Sequence, residues 1–308
     1  MLMQWLWLLG LISLIGGYFS LNFAIRRWLT AARVVESVEP SGLPWREVYL
    51  PTANNKTLFG WFIPLDSLPT QPVPALVVMH GWGGNAEMML PLAAPLHLAG
   101  YVLLLVDARC HGRSEGDSFA SLPRFAEDIE AALAWLVAQP EVDARSVGVI
   151  GHSVGAGAAL LAASRLSSIQ AVVSLAAFAH PDRMMRRWLA AKRIPYWPLG
   201  AYILHYVQRV IGYRFAAIAP CNTLAQVSCP VLLVHGAEDA TVPVSEAHEI
   251  FAARASDAVE LLIIPGSHDD YGDITQQLGP VCDFLQRSFA LGEKKAGDLL
   301  PPSGVCSD

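Results

Sequence analysis

The chain has 308 residues, 53% of them hydrophobic, and a formal net charge of −6. This length and apolar content are enough for a large hydrophobic core, so they argue against a disordered chain. The chain contains no lysine- or arginine-rich run, the usual electrostatic signature of a nucleic-acid-binding protein. Its five cysteines are scattered without a C-x-x-C pair, so they indicate neither a disulfide framework nor a zinc site.

Residues 1–28 are expected to form an N-terminal membrane anchor. No charged residue precedes Arg26, and a run of about 20 apolar residues can cross a bilayer as a helix. A cleaved signal peptide is the alternative, but no basic residue precedes the run and no convincing cleavage site follows it. Arg26, Arg27 and Arg33 come directly after it. Because positive charge stays on the cytoplasmic side, we expect a single-pass protein with a cytoplasmic domain.

Residues 29–45 are predicted to be a linker, and residues 46–291 a domain in which strands and helices alternate. Two short runs, 46–51 and 58–64, are typical of an antiparallel hairpin. Further strands are predicted at 75–79, 101–106, 146–150, 171–178, 230–234 and 261–264, with helices at 86–99, 122–138, 154–165, 245–253 and 274–289. This alternation predicts the α/β class, with a mostly parallel sheet flanked by helices. Residues 292–308 are predicted to be a disordered tail.

A long segment, residues 180–228, interrupts the alternation and is too long for a plain connection. It is rich in Trp, Tyr, Met and Leu, and indicates a small helical insertion over the sheet edge. Its basic residues include Arg183, Arg186, Arg187, Lys192 and Arg193. Two interpretations stay open: this insertion faces an anionic membrane surface, or its basic residues are simply solvated. Because the apolar run precedes the first predicted strand, we expect deletion of residues 1–33 to leave a soluble, active domain.

The pentapeptide 151–155 is a G-x-S-x-G that follows a short apolar run and precedes a helix-like segment. A serine on so sharp a strand-to-helix turn takes a strained backbone and presents its hydroxyl above the sheet edge. The flanking glycines are needed because the chain approaches itself too closely for side chains. Ser153 also lies at a helix N-terminus, where free N–H groups can face a developing negative charge. Alone, so short a pattern also arises by chance.

Three loops that follow predicted strands carry further candidates for a catalytic site. The glycine-rich loop 80–85 can expose the backbone N–H of Trp82, which together with that of Val154 would form a two-donor oxyanion hole. Asp239 is placed to orient a histidine, with Glu238 as its rival. His268 follows the last strand and is the candidate base. We interpret His80, by contrast, as a structural loop histidine.

The order of these motifs resembles the α/β-hydrolase superfamily over residues 46–290. The matching segments are 80–84, 107–114, 151–155, 235–239 with 242–243, and 266–268. The resemblance implies that Ser153 is the nucleophile, Asp239 the orienting acid and His268 the base, with Trp82 and Val154 as oxyanion donors. It also implies that the insertion is a helical cap. The superfamily usually has glycine where this chain has Cys110, a difference within a structural turn.

The leading hypothesis is a membrane-anchored serine hydrolase that cleaves carboxylic esters of apolar acyl groups through an acyl-enzyme on Ser153. A thioesterase or acyltransferase would use the same three residues, and a non-catalytic binding protein on the same fold is a further alternative. We expect a small-molecule acyl ester and the membrane as partners, without nucleic acid. No cofactor is expected, and no spacing of His, Cys, Asp and Glu indicates a metal site.

Overall fold

The computed structural model describes residues 2–67, 70–270 and 277–298. Its strands are β1 (Arg46–Thr52), β2 (Lys56–Ile63), β3 (Val73–Met79), β4 (Val102–Val106), β5 (Val142–His152), β6 (Ala171–Leu175), β7 (Val231–Gly236) and β8 (Val259–Ile264). They form one sheet in the order β1-β2-β4-β3-β5-β6-β7-β8. The first hairpin and the β2–β4 pair are antiparallel, and all the other neighbours are parallel. The predicted α/β fold with a mostly parallel sheet is confirmed.

Helices cover both faces of this sheet. They are α1 (Leu2–Leu29), α2 (Leu90–Leu98), α3 (Leu122–Leu136), α4 (Val154–Arg165), α5 (Pro181–Ala191), α6 (Ala201–Ile211), α7 (Pro220–Thr223), α8 (Val244–Ala252) and α9 (Gly279–Asp298). Side chains alternate between the faces: Val77 of β3 packs in the cluster that holds Phe125 of α3, and Leu76 in the cluster that holds Phe284 of α9. Burial on both faces explains why the central strands are continuous apolar runs.

The bounds of two helices can be compared with the predictions for the centre and the C-terminal end of the chain. Helix α4 has the predicted bounds, 154–165. Helix α9 begins at Gly279 and runs to Asp298, so the segment predicted as a disordered tail, 292–308, is helical in its first part. Residues 299–308 lie outside the described residues, as do residues 274–276 of the predicted last helix.

The insertion predicted at 180–228 contains α5, α6 and α7, which lie over the carboxyl end of the sheet and form the cap. Helix α5 begins at a cap provided by His180, whose ring accepts a hydrogen bond from the backbone N–H of Asp182. Its arginines pair with acidic groups: Arg183 with Glu249, Arg186 with Asp182, and Arg187 with Glu246. Each of these three charges therefore has an acidic partner on the same chain, which weakens the prediction that they attract an anionic membrane. Lys192 and Arg193 have no ion-pair partner within the described part of the chain.

Helix α1 has two parts with different surroundings. Its Met3–Leu29 portion is long and apolar enough to cross a membrane, with a mean hydropathy of 1.8, and residues 3–21 are all exposed. From Asn22 onward the helix packs on the cap. Its contacts are Tyr202 Oη donating to Asn22 Oδ1 at 2.8 Å, Arg26 Nε donating to Tyr206 Oη at 2.7 Å, and the rings of Trp28 and Trp188 at 4.3 Å.

Residues 30–45, most of the predicted linker, contain no helix or strand but contact the domain. The amide of Asn85 donates to the Val34 carbonyl at 3.2 Å, and Ser37 Oγ donates to Glu87 at 3.0 Å. Between these contacts, the carboxyl oxygens of Glu36 are buried and lie beside the carboxyl group of Asp107, since a Cβ atom on Gly112 would come within 2.5 Å of an oxygen of each. Two carboxyl groups buried side by side favour a proton on one of them. The segment is thus held against the loops that follow β3 and β4.

Candidate active site

The turn between β5 and α4 has the geometry expected for a G-x-S-x-G. Ser153 has a φ of 53° and a ψ of −112°, a conformation that residues with a side chain rarely adopt. A Cβ atom on Gly151 would lie 2.2 Å from the carbonyl oxygen of Gly155, and one on Gly155 would lie 2.4 Å from that of His80. Only glycine fits at these two positions, and the tight turn holds the Ser153 side chain at the carboxyl edge of the sheet.

The structure brings Ser153, Asp239 and His268 together at this edge, where ligands bind in open α/β sheets. Ring atom Nε2 of His268 lies 3.0 Å from Ser153 Oγ, and Nδ1 lies 2.7 Å from Asp239 Oδ2. All three residues are buried. They come from the β5–α4 turn and from the loops after β7 and β8. The arrangement is a hydrogen-bonded relay from carboxylate to imidazole to hydroxyl.

Asp239 is held as a carboxylate by its hydrogen-bond donors. Burial acts to raise its pKa, but hydrogen bonds from His235, His268 and the Val242 N–H outweigh this effect and hold the pKa well below the usual range. Atom Oδ1 accepts from the N–H groups of Thr241 and Val242 at 2.8 and 2.7 Å. An ionised Asp239 keeps the proton of His268 on Nδ1, which leaves Nε2 free to accept the hydroxyl proton of the nucleophile.

Glu238, the rival to Asp239, has a different partner. Its Oε2 accepts a hydrogen bond from the backbone N–H of Gly266 at 2.6 Å, and the residue is exposed. Glu238 therefore ties the loop after β7 to the loop after β8, while Asp239 contacts the imidazole. The structure distinguishes two adjacent acids that the sequence left open.

His152 supports the loop that carries His268. Its Nε2 lies 2.8 Å from the carbonyl oxygen of His268, and burial lowers its pKa. A neutral ring with a proton on Nε2 donates this bond. Together with Asp269, the two histidines place possible metal-ligand atoms within 4.8 Å of one another. Both ring nitrogens of His268 are already engaged with Ser153 and Asp239, so a metal here would dismantle the relay, and we assign none.

The two predicted oxyanion donors lie beside the serine. A Cβ atom on Gly81 would lie 3.1 Å from Ser153 Cβ, so the chain at Trp82 passes directly along the nucleophile. Val154 is the first residue of α4, where a backbone N–H has no helical acceptor. Among the described residues, no acceptor is found for the backbone N–H of either Trp82 or Val154. Both groups are available to a ligand atom above Ser153.

His80 serves as a brace between two loops, in line with its interpretation as a structural histidine. Its Nδ1 lies 2.6 Å from the Gly81 carbonyl oxygen, and its Nε2 accepts a hydrogen bond from the Ala108 N–H at 3.0 Å. Burial, aided by the neighbouring His111, lowers the pKa of His80 to about 3. The ring is therefore neutral at physiological pH and fixes the glycine-rich loop against the loop after β4.

The motif 107–114 is structural in the same way. Its Arg109 is buried and binds Asp128 at 2.7 Å and Glu127 at 2.5 Å, both on α3. Cys110 has a φ of 68°, the left-handed region that favours glycine. This backbone requirement gives a physical reason for the glycine that the superfamily resemblance implies at this position.

A cavity of about 270 Å³ lies above Ser153 and is lined mainly by apolar side chains. The cap contributes Met184, Trp188 and Val207, and the last turn of α1 with the residue that follows it contributes Arg26, Leu29 and Thr30. The sequence analysis missed the contribution of α1. A signal was present: Asn22, Arg26 and Leu29 are four and three residues apart, a spacing that places them on one face of a helix.

Comparisons with known proteins identify the family. The model of the family described as Hydrolase_4, serine aminopeptidase S33, matches residues 70–211. An uncharacterized protein of Mycobacterium tuberculosis is 30% identical over 261 residues, 83% of this chain and 84% of that protein. The α/β hydrolase GrgF from a Penicillium species superposes with a TM-score of 0.63 at 23% identity, over 80% of this chain and 100% of that one. This chain belongs to the α/β-hydrolase superfamily.

Another α/β hydrolase, the esterase Pf2001 of Pyrococcus furiosus, gives a TM-score of 0.68 at 26% identity, over 85% of this chain and 100% of that one. The chain thus has the architecture of a hydrolase with esterases among its structural neighbours. The likeness covers the sheet and its helices, on which the relay of Ser153, Asp239 and His268 is built.

Proposed function

We propose that this protein is a membrane-anchored serine hydrolase that cleaves carboxylic esters of apolar acyl groups. The observation that carries the proposal is the relay from Asp239 through His268 to Ser153, which ends beneath an apolar cavity. A binding protein needs an apolar cavity but has no use for a strained serine in line with a histidine and a buried carboxylate.

The geometry supports a two-step reaction. Ser153 Oγ attacks the acyl carbonyl while His268 Nε2 takes its proton, and the backbone N–H groups of Trp82 and Val154 stabilise the oxyanion. The intermediate collapses as His268 returns the proton to the leaving alcohol, which forms the acyl-enzyme on Ser153. Water then attacks this ester, with His268 again as base, and releases the carboxylic acid.

The substrate class follows from the cavity and from one structural neighbour. Apolar walls favour an acyl chain over a peptide or a sugar, because burial of each CH₂ group contributes about 0.8 kcal/mol. The Pyrococcus furiosus neighbour is an esterase, which favours an oxygen ester as the bond that is cleaved. No metal or cofactor takes part in the proposed reaction.

Anchoring is proposed from α1. Its exposed apolar residues 3–21 are unfavourable in water, and Arg26 and Arg27 follow them at the cytoplasmic side that the positive-inside rule favours. The contacts of Asn22 and Arg26 with the cap favour a retained helix over a cleaved signal peptide, because cleavage would remove them. We therefore propose a single-pass protein with the hydrolase domain in the cytoplasm.

The decisive experiment is active-site labelling of the full-length chain in nanodiscs with a fluorophosphonate probe, followed by turnover of p-nitrophenyl esters and acyl-CoA thioesters. We expect labelling and ester turnover in the wild type and in Ser164→Ala, a serine-to-alanine control within α4, and neither in Ser153→Ala. Faster turnover of thioesters than of oxygen esters would favour a thioesterase. Absence of labelling in a folded wild type would favour a non-catalytic binding protein.

A further inference from the structure

Helix α1 has an exposed part and a part that packs on the cap, and the length of the exposed part can be compared with the thickness of a bilayer. Residues 3–21 are exposed along their length, and at 1.5 Å per residue they span about 30 Å, the thickness of the hydrocarbon core of a membrane. Asn22 is the first described residue of the helix that is buried in the protein. The membrane portion therefore ends where the contacts with the cap begin.

The residues that follow this boundary line the cavity. Along the helix axis, Arg26 and Leu29 lie about 8 and 12 Å beyond Leu21, near the level of the lipid headgroups. Both border the cavity above Ser153, and Leu29 packs against the apolar cluster beneath the cap. The last turn of α1, which forms a wall of the substrate cavity, thus lies about two turns beyond the point where the helix leaves the bilayer.

This turn is held firmly against the cap. Tyr202 Oη binds Asn22, Tyr206 Oη accepts from Arg26, and the ring of Trp28 contacts that of Trp188. The hydrogen bond to buried Asn22 fixes the register of α1 on the cap, because a shift would leave Asn22 without this partner. Helix α1 therefore acts as a fixed side of the cavity, and removal of residues 1–33 would open it.

We propose that the last turn of α1 is the membrane-facing wall of the acyl subsite, and that the enzyme takes one acyl chain of a lipid ester directly from the bilayer. The inference rests on the proposed ester hydrolysis at Ser153. The cavity of about 270 Å³ lies just below the usual range of ligand pockets, about 300–1,000 Å³, so it leaves no room for a second chain. Leu29 is then a residue that sets specificity for chain length.

The test compares two substitutions to tryptophan in the full-length chain in nanodiscs. Leu29→Trp fills the cavity, whereas Leu21→Trp adds the same group to the exposed, membrane-facing part of α1. The substrates are p-nitrophenyl palmitate, which partitions into the bilayer, and p-nitrophenyl butyrate, which reacts from water. We expect Leu29→Trp to lower the ratio of palmitate to butyrate turnover at least tenfold, and Leu21→Trp to retain the ratio of the wild type.

Leu29→Ala provides the opposite change and remains informative if the larger side chain prevents folding. It enlarges the cavity, so we expect relatively faster turnover of longer or branched acyl groups. A second matched pair is Arg26→Gln, which removes the bond to Tyr206, and Arg27→Gln, which makes the same charge change at a position that does not line the cavity. We expect at least a fivefold rise in the KM for palmitate in the first variant and less than a twofold change in the second.

Two failures are distinguishable. If the wild type neither reacts with a fluorophosphonate nor hydrolyses either ester, the proposed function is wrong. If it hydrolyses both esters but the Leu29 variants have the same chain-length profile as Leu21→Trp, α1 is only an anchor and the inference is overturned.

Discussion

The relay at the sheet edge and the wall of the cavity are built in different ways. Two of the three relay residues are positioned by neighbours close to them in the chain: Gly151 and Gly155 shape the turn at Ser153, and the Val242 N–H binds Asp239. The wall depends on the packing of α1 against the cap, where Asn22 contacts Tyr202, 180 positions later in the chain. The difference teaches that short motifs fix the chemistry of this enzyme, whereas long-range packing fixes what it binds.

The largest expected effect separates the relay from the wall. Ser153→Ala and His268→Ala should each lower ester turnover by about 10⁴-fold or more, because the hydroxyl nucleophile or its base is lost. The cavity remains, so binding of a fluorescent fatty acid should change by less than threefold. The assignment of Ser153 fails if its alanine variant retains more than about 1% of the turnover of the wild type.

The next effect tests the carboxylate of the relay. Asp239→Asn should lower kcat by about 10³–10⁴-fold, because the amide no longer fixes the proton of His268 on Nδ1. Glu238→Gln is the matched control, since its amide oxygen still accepts the Gly266 N–H; less than a threefold change is expected. Equal losses in the two variants would contradict the separate roles that the hydrogen bonds give these adjacent acids.

A smaller effect is expected where the cap meets α8. Buried Glu246 accepts a hydrogen bond from the Ala179 N–H at 2.7 Å and pairs with Arg187. Glu246→Ala should lower the free energy of unfolding by about 3 kcal/mol, since its removal leaves the Ala179 N–H and Arg187 without their acidic partner. The looser cap should also reduce kcat/KM for long esters about tenfold.

Glu249→Ala is the control for this cap substitution, because the pair of Glu249 with Arg183 is exposed and such pairs contribute about 0–1 kcal/mol. Chemical denaturation of both variants measures the difference. Equal destabilisation would show that the cap is not fastened through Glu246.

The smallest effect concerns the pH dependence of stability. Burial, reinforced by the neighbouring Glu36 carboxyl group, raises the pKa of Asp107 to about 8, against about 3.9 for a free aspartate. The folded state therefore holds an extra proton between about pH 4 and 8, and stability falls as pH rises through this window.

Glu36→Gln supplies an amide donor to an ionised Asp107, so the pH dependence should flatten and the Tm at pH 8.5 should rise by about 2–4 °C. Thermal unfolding from pH 5 to 9 measures both effects. Glu39→Gln, an exposed acid in the same segment, should follow the curve of the wild type. Parallel curves for wild type and Glu36→Gln would exclude this carboxyl pair as the source of the pH dependence.

The sequence was sufficient for the sheet and for the residues that now lie at the relay, because strand periodicity and short motifs are local properties. It favoured Asp239 over Glu238 on motif register alone, since neighbouring acids differ only in the direction their side chains take in the folded loop. It could not show that Leu29 borders the cavity or that Glu36 meets Asp107. Both contacts join residues that are far apart in the chain. In the sequence, Leu29 lies in an ordinary apolar helix and Glu36 in an apparent linker.

The docking of Asn22 on Tyr202 also orders the events of biosynthesis. Helix α1 leaves the ribosome before the cap and the loops of Asp239 and His268, and closing so long a loop is slow compared with local folding. For the proposed anchor, insertion into the membrane would therefore precede completion of the cavity. A chain that misses the membrane carries an exposed apolar helix into the cytosol, where such a surface promotes aggregation and capture by chaperones. The proposed hydrolytic activity would in this way be confined to copies that have reached the bilayer.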